Sequence, residues 1–184
     1  YINFSIPNYF MMIASEFGVE PFKLFDLMNH EYPRNDGLKS TGLTAGTCLR
    51  KDFGMVNEYF PQTDLILQAY KINEFMAKFI ADTSSTFINK KSKVGILGYT
   101  FKSDTDDIRD TLSAKVIRYV ERLVPSHIYI SDYNIKSKNI NDNANGINFR
   151  NLTTLELLKN SNIIIICTNH SKYEEIIKKN KFKN

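Results

Sequence analysis

Two short stretches hold residues whose types and spacing could do chemistry. The first is Gly42-Leu43-Thr44-Ala45-Gly46-Thr47-Cys48-Leu49-Arg50-Lys51-Asp52. Small residues ahead of the cysteine let a ligand approach the backbone closely, and Asp52 could cap the helix that follows. A cysteine beside a helix start, with Arg50 and Lys51 adjacent, sits where the thiolate is favoured, and the thiolate is the nucleophile. A cysteine packed in a capped turn would show the same spacing, so spacing alone does not choose between them. The second stretch runs from Val94 through Gly95, Leu97, Gly98, Phe101 and Lys102 to Asp104, Asp106, Asp107, Arg109 and Asp110. It leaves an apolar strand and enters a helix, which is where open α/β sheets bind ligands. Lys102 and Arg109 could hold a diphosphate. Asp104, Asp106 and Asp107 would repel one unless paired or turned away. Two glycines make an incomplete dinucleotide fingerprint, and a solvated charged turn is the plain alternative.

The elements that must position these stretches follow from periodicity. Residues 1–30 read as helical: Phe10, Met11, Ile13, Ala14 and Phe17 keep helical spacing, Gly18 ends the run, and Glu20-Pro21 starts a second short helix. Glu31 to Arg50 is turn chemistry and predicts a long loop. Asp52 to Ala81 is helical again, with Pro61 dividing it. A boundary near Asp82–Thr86 precedes strands expected near 93–98, 127–131 and 162–167, helices over 113–123 and 153–159, and an Asn-rich excursion from Asn134 to Asn148. Strand, helix, strand, helix, strand implies a parallel sheet with right-handed crossovers. The fold class is therefore α/β: a helical module over residues 1–85, then a small parallel α/β domain over residues 90–184.

Composition narrows the classes. With 184 residues, 42% apolar and a net charge of +4, the chain reads as an ordinary globular protein of one or two domains and not as a disordered one. Its longest aliphatic run, Ile163–Ile166, is far short of the ~18–20 residues that span a bilayer, so no membrane is expected. No signal peptide opens the chain, and the absence of an initial Met suggests a trimmed start. Lys172, Lys178, Lys179, Lys181 and Lys183 read as a solvated helix end, so no nucleic acid is expected. Cys48 and Cys167 read as free thiols, which points to a reducing compartment, by default the cytoplasm. His30, His127 and His170 read as surface or capping residues. No metal is expected.

Taken together and in this order, the two stretches resemble the nucleotide-sugar dehydrogenases of the UDP-glucose/GDP-mannose dehydrogenase type. One motif is that family's Gly-Gly-x-Cys-x-x-Lys-Asp, here Ala45-Gly46-Thr47-Cys48-Leu49-Arg50-Lys51-Asp52, with Ala45 in place of a glycine. The other is its Leu-Gly-x-x-Phe-Lys-x-x-Thr-x-Asp-x-Arg, here Leu97-Gly98-Tyr99-Thr100-Phe101-Lys102-Ser103-Asp104-Thr105-Asp106-Asp107-Ile108-Arg109. Pro33-Arg34, Asn8, Asn73-Glu74 and Thr168-Asn169-His170 fit further family positions.

The resemblance implies a helical dimerisation module followed by a Rossmann-like nucleotide-sugar domain. It also implies NAD-dependent oxidation of a UDP-sugar C6 alcohol to the acid through two hydride transfers. Cys48 would be the nucleophile, Asp52 would orient water, and Lys51 would supply positive charge near thiolate and cofactor. Arg34 would hold substrate, and Lys39, Ser40, Thr41, Gly42, Leu43, Thr44 and Ala45 would wrap it. Phe101 and Lys102 would bind the nucleotide, while Lys51 and Arg109 would face NAD. Family members begin with an NAD-binding domain, and their paired Lys and Asn would fall upstream of Tyr1. Residues 1–184 alone are therefore expected to be inactive. Two rival readings remain: a nucleotide-sugar-binding and dimerising module, and a thiol-dependent transferase without redox chemistry.

Overall fold

The computed structural model describes residues 1–35, 41–59, 64–135 and 149–179. Lys39, Ser40 and the Asn-rich run from Asn139 to Asn148 lie outside them.

The first half is helical. α1 spans Ile2–Glu16 and α2 spans Pro21–Asn29, with Gly18 between them at a φ of 66°. Pro21 opens α2, and the Glu20 carboxylate accepts from the Phe22 and Lys23 amides, so the sequence signal of Glu20-Pro21 is a true N-cap. A 3-10 turn covers Pro33–Asn35. α3 spans Thr47–Tyr59 and α4 spans Asp64–Ser84. The loop expected to reach Arg50 therefore ends earlier. Helix begins at Thr47, because Gly46 at a φ of 119° turns the chain and propagation follows at once.

The second half is a parallel sheet with helices on both faces. β1 is Lys93–Leu97, β2 is His127–Ser131, β3 is Arg150–Asn151 and β4 is Ile163–Ile166. Their order is β3-β2-β1-β4, and every pairing is parallel. The three expected strands are present. The two-residue β3 is an addition, pairing only Arg150 and Asn151 with Tyr129 and Ile130.

α5 (Ser113–Glu121) lies on one face, where Val116, Ile117 and Val120 meet Val94, Ile96, Ile128 and Ile130. α6 (Thr154–Asn160) and α7 (Ser171–Lys179) cover the other, where Leu157, Leu158 and Tyr173 meet Leu97 and Tyr129. Thr153 and Glu156 form a reciprocal capping box at the start of α6. Ala77 and Ala81 of α4 join the first of these clusters, so the last turns of the long helix pack with the sheet. β1 has β2 on one side and β4 on the other. The strand order reverses at β1, whose C-terminal end is therefore the topological switch point of the sheet.

Candidate functional site

Three groups of contacts converge outside the C-terminal end of β1. The first holds the loop ahead of Cys48. Asn8 of α1 is fully buried, and its amide closes two bonds on Gly42. The Gly42 N–H donates to Asn8 Oδ1 at 2.8 Å, and Asn8 Nδ2 donates to the Gly42 carbonyl at 2.9 Å. Asn8 Nδ2 also donates to Oδ1 of the equally buried Asn73 of α4 at 2.9 Å. A buried amide needs its partners, and here those partners fix a loop. Thr44 and Ala45 are buried behind Gly42, and Leu43 packs against the sheet core. The Gly42 amide, expected to face a ligand, is thus committed to Asn8.

Cys48 is exposed in the first turn of α3, where unpaired backbone N–H groups favour a negative charge. Because the helix starts at Thr47, Asp52 does not cap it but stands one turn in. Cys48, Lys51 and Asp52 follow i, i+3, i+4 and share a face. Lys51 and Asp52 pair at 3.5 Å, both well exposed. Asp52 also borders a cavity of about 390 Å³ walled by Tyr1, Phe4, Phe53, Val56 and Ile66.

The second group joins this helix to the loop after β1. A Cβ on Gly46 would lie 3.0 Å from the Phe101 ring, so the ring rests on the backbone two residues ahead of Cys48. Lys102 Nζ stands 5.5 Å from the same ring. Arg50 bonds Glu74 of α4 and Asp110 of the loop, each at 3.0 Å. Arg109 grips Asp107 through Nε and a terminal nitrogen, and those hydrogen bonds hold the Asp107 carboxyl down at about 2. The Asp107 hydrogen bonds and charge in turn raise Arg109. Of the three acidic residues expected to repel an anion, two are therefore spoken for: Asp107 by Arg109, and Asp104 by Ser171, whose N–H and Oγ both donate at 3.0 Å and lower its carboxyl.

The third group corrects the reading of His170. It is not at the surface but fully buried, at the centre of a polar cluster after β4. The Asp104 N–H donates to Nδ1 at 2.9 Å, so the ring proton is on Nε2, 3.1 Å from Asp132 Oδ2. The same carboxylate oxygen accepts from the Tyr99 and Thr100 amides at 2.6 and 3.1 Å. Burial opposes the charge on Asp132, but the bonds from His170, Tyr99 and Asn134 prevail and hold its carboxyl below the ordinary value. Thr168 Oγ1 donates to the Thr100 carbonyl at 2.6 Å. This cluster shapes the loop that carries Phe101 and Lys102. Its sequence signal was positional: a histidine just past the C-terminal end of a strand next to β1.

The other histidines behave as expected. His30 is exposed at the end of α2, and His127 stacks on Tyr129. Arg34 is exposed in the 3-10 turn, and Thr41 precedes the clamped glycine. Cys167 is free, and burial pushes its thiol up to about 12. Among the described residues, no His/Cys/Asp/Glu group could hold a metal ion, and no helix is long and apolar enough to cross a membrane.

Comparison with known proteins follows this geometry. Residues 95–184 match the family described as UDP-glucose/GDP-mannose dehydrogenase family, UDP binding domain. The UDP-N-acetyl-D-mannosamine dehydrogenase of Methanocaldococcus jannaschii is 26% identical over 178 residues, which cover 96% of this chain and 39% of that protein. A UDP-glucose dehydrogenase from the hyperthermophilic archaeon Pyrobaculum islandicum superposes with a TM-score of 0.77 at 21% identity, covering 94% of this chain and 41% of that one. A UDP-D-ManNAc dehydrogenase from Pyrococcus horikoshii gives 0.74 at 20% identity, over 97% and 41%. These structural likenesses are likenesses of fold. The chain spans about 39% of the length of the curated relatives it matches.

Proposed function

Residues 95–184 belong to the UDP binding domain of the UDP-glucose/GDP-mannose dehydrogenase family, and from that premise we propose that the chain forms the cysteine-bearing and nucleotide-binding part of an NAD-dependent enzyme. That enzyme oxidises the C6 alcohol of a UDP-sugar, UDP-glucose or a UDP-N-acetylhexosamine, to the uronic acid. The observation that carries the reading is the contact of Phe101 with Gly46. It sets the exposed Cys48 beside the loop at the sheet's switch point, so one ligand can have its nucleotide at the loop and its sugar at the thiol.

Phe101 and Lys102 would take the nucleotide, the ring by apolar contact and the ammonium by its charge. The thiolate of Cys48 adds to the aldehyde carbon produced by the first oxidation, giving a thiohemiacetal whose oxygen takes a proton. Loss of hydride from that carbon and of the proton from that oxygen leaves a thioester, and water attacks it, releasing the acid and returning the thiol. Asp52, on the same helical face, would orient that water, and Lys51 would stabilise the developing negative charge. NAD, when bound, supplies hydride acceptance for both oxidations. The described residues fit it at its rim. Lys51 and Arg109 are exposed cations near Cys48, suited to a diphosphate. Arg34, Thr41 and Leu43 belong to the substrate side of this reading, as do Lys39 and Ser40, which lie outside the described residues.

A homodimer through α3 and α4 is part of the proposal, since Met55, Val56, Tyr59, Leu65 and Phe75 are exposed along them. Free thiols fit a cytoplasmic setting.

The test is NADH formed per active site by the full-length protein with UDP-sugars. A Cys48→Ser variant should stop after at most one hydride with substrate affinity nearly unchanged. Turnover at the wild-type rate would remove the nucleophile, and with it the reaction.

A further inference from the structure

The helix that bears Cys48 is lightly attached. α3 buries none of its described side chains completely. Phe53 stacks on Tyr70 of α4 at 4.4 Å, Tyr1 meets both edge-on, and Gly46 touches Phe101 just before the helix. A further tie is ionic. Arg50, two residues beyond Cys48, spreads its two terminal nitrogens between carboxylates on separate elements, Glu74 of α4 and Asp110 of the loop after β1. Glu74 is itself only 12% exposed and also pairs with Lys115 of α5.

We propose that Arg50 is a positioning residue: its guanidinium sets the distance between the Cys48 thiol and the loop carrying Phe101 and Lys102. This rests on the function proposed above, in which a nucleotide held by the loop presents its sugar to the thiol. A planar fork can satisfy two carboxylates at once, whereas an ammonium acts as a single point charge. Arg50 and Asp110 are 26% and 38% exposed, so their pair adds little to global stability. What it adds is geometry, and reaction rates are far more sensitive than stability to displacements of about 1 Å.

Asp110 offers a clean probe. It sits at a φ of 53°, a left-handed conformation that asparagine also tolerates, so Asp110→Asn removes the charge and keeps the turn. The experiment compares the full-length wild type with Asp110→Asn, Arg50→Lys and the double variant. It reads thermal midpoint, rate of Cys48 alkylation by iodoacetamide, and kcat and KM for a UDP-sugar. Each single variant should keep its midpoint within about 2 °C, change the alkylation rate about threefold or more, and lower kcat about tenfold with KM within about twofold. The double variant should lose little beyond either single, because both break one contact. Wild-type alkylation and kcat at an unchanged midpoint would overturn the proposal. So would a midpoint that falls in step with activity, which marks a merely structural role. A wild type that forms no NADH would fail the proposed function instead, and the alkylation rates would still decide the role of Arg50.

Discussion

Asn8 and Gly42, separated by 34 residues, grip each other through a reciprocal pair of hydrogen bonds, amide to backbone and backbone to amide. The side chain belongs to a helix and the glycine to an irregular loop, so the helix lends the loop its rigidity. Asn73 completes the arrangement by accepting the second Asn8 N–H. Replacing Asn8 by alanine would strand the Gly42 N–H and carbonyl and the Asn73 oxygen together. Asn8→Ala should therefore cost about 3 kcal/mol of stability, since each stranded buried group costs ~1–3 kcal/mol. Denaturant unfolding measures the loss. Faster hydrogen exchange at the Gly42 amide should accompany it.

Asp132 makes the second half acid-sensitive in a definite direction. Its folded carboxyl titrates below the ordinary value, so its stabilisation is fully present above the unfolded value of ~3.9 and is lost as pH falls through the folded one. Unfolding midpoints followed downward from about pH 5 should drop steeply below about pH 4. Asp132→Asn should be less stable at neutral pH by about 2–3 kcal/mol, the value of a buried charge-assisted network. Its acid slope should be shallower, though not flat, because Asp104 and Asp107 are also depressed. An unchanged slope would contradict the assignment.

The two thiols should separate sharply in reactivity. Cys48 is exposed at a helix start, whereas burial raises the Cys167 thiol to about 12. Limited alkylation near neutral pH, read by peptide mass, should label Cys48 first. Preferential labelling of Cys167 would reverse the assignment of the nucleophile.

Glycines 98 and 46 should respond differently to a methyl group. A Cβ at Gly98 would stand 2.3 Å from the Thr168 carbonyl oxygen at a φ of 85°, and Thr168 is itself tied to Thr100. Gly98→Ala should cost at least about 3 kcal/mol, with strain and overlap adding. At Gly46 the overlap is with the Phe101 ring, a side chain that can turn aside, but the φ of 119° strains any residue with a Cβ. Gly46→Ala should therefore also lose stability, though less than Gly98→Ala, and show weaker UDP binding by titration calorimetry.

Much of the architecture was legible in the residues. The apolar runs at Lys93–Leu97, His127–Ser131 and Ile163–Ile166 stand alone between turn signals and are strands, and Glu20-Pro21 opens a helix. Two features escaped for local reasons. β3 is two residues long and owes its existence to Tyr129 and Ile130 beside it. The start of α3 at Thr47 was hidden by the small residues before it, whose composition says loop although Thr47 itself is already helical.

The site divides in the same way. Periodicity and motif spacing are properties of neighbouring residues, so the sequence by itself determined the α/β order, the place of Cys48 near a helix start and the loop of Phe101 and Lys102, whereas the exposure of the thiol came from the structure. The partners of polar side chains are not local. Asn8 finds Asn73 across 65 residues, Thr100 meets His170 across 70, and Arg50 reaches Asp110 across 60. A buried amide, imidazole or carboxylate must be satisfied by whatever the fold brings beside it. Only the tertiary structure could decide that His170 is a buried hub and not a surface residue, and that Arg50 bridges two elements at the cysteine. Packing, not spacing, chooses which distant groups meet.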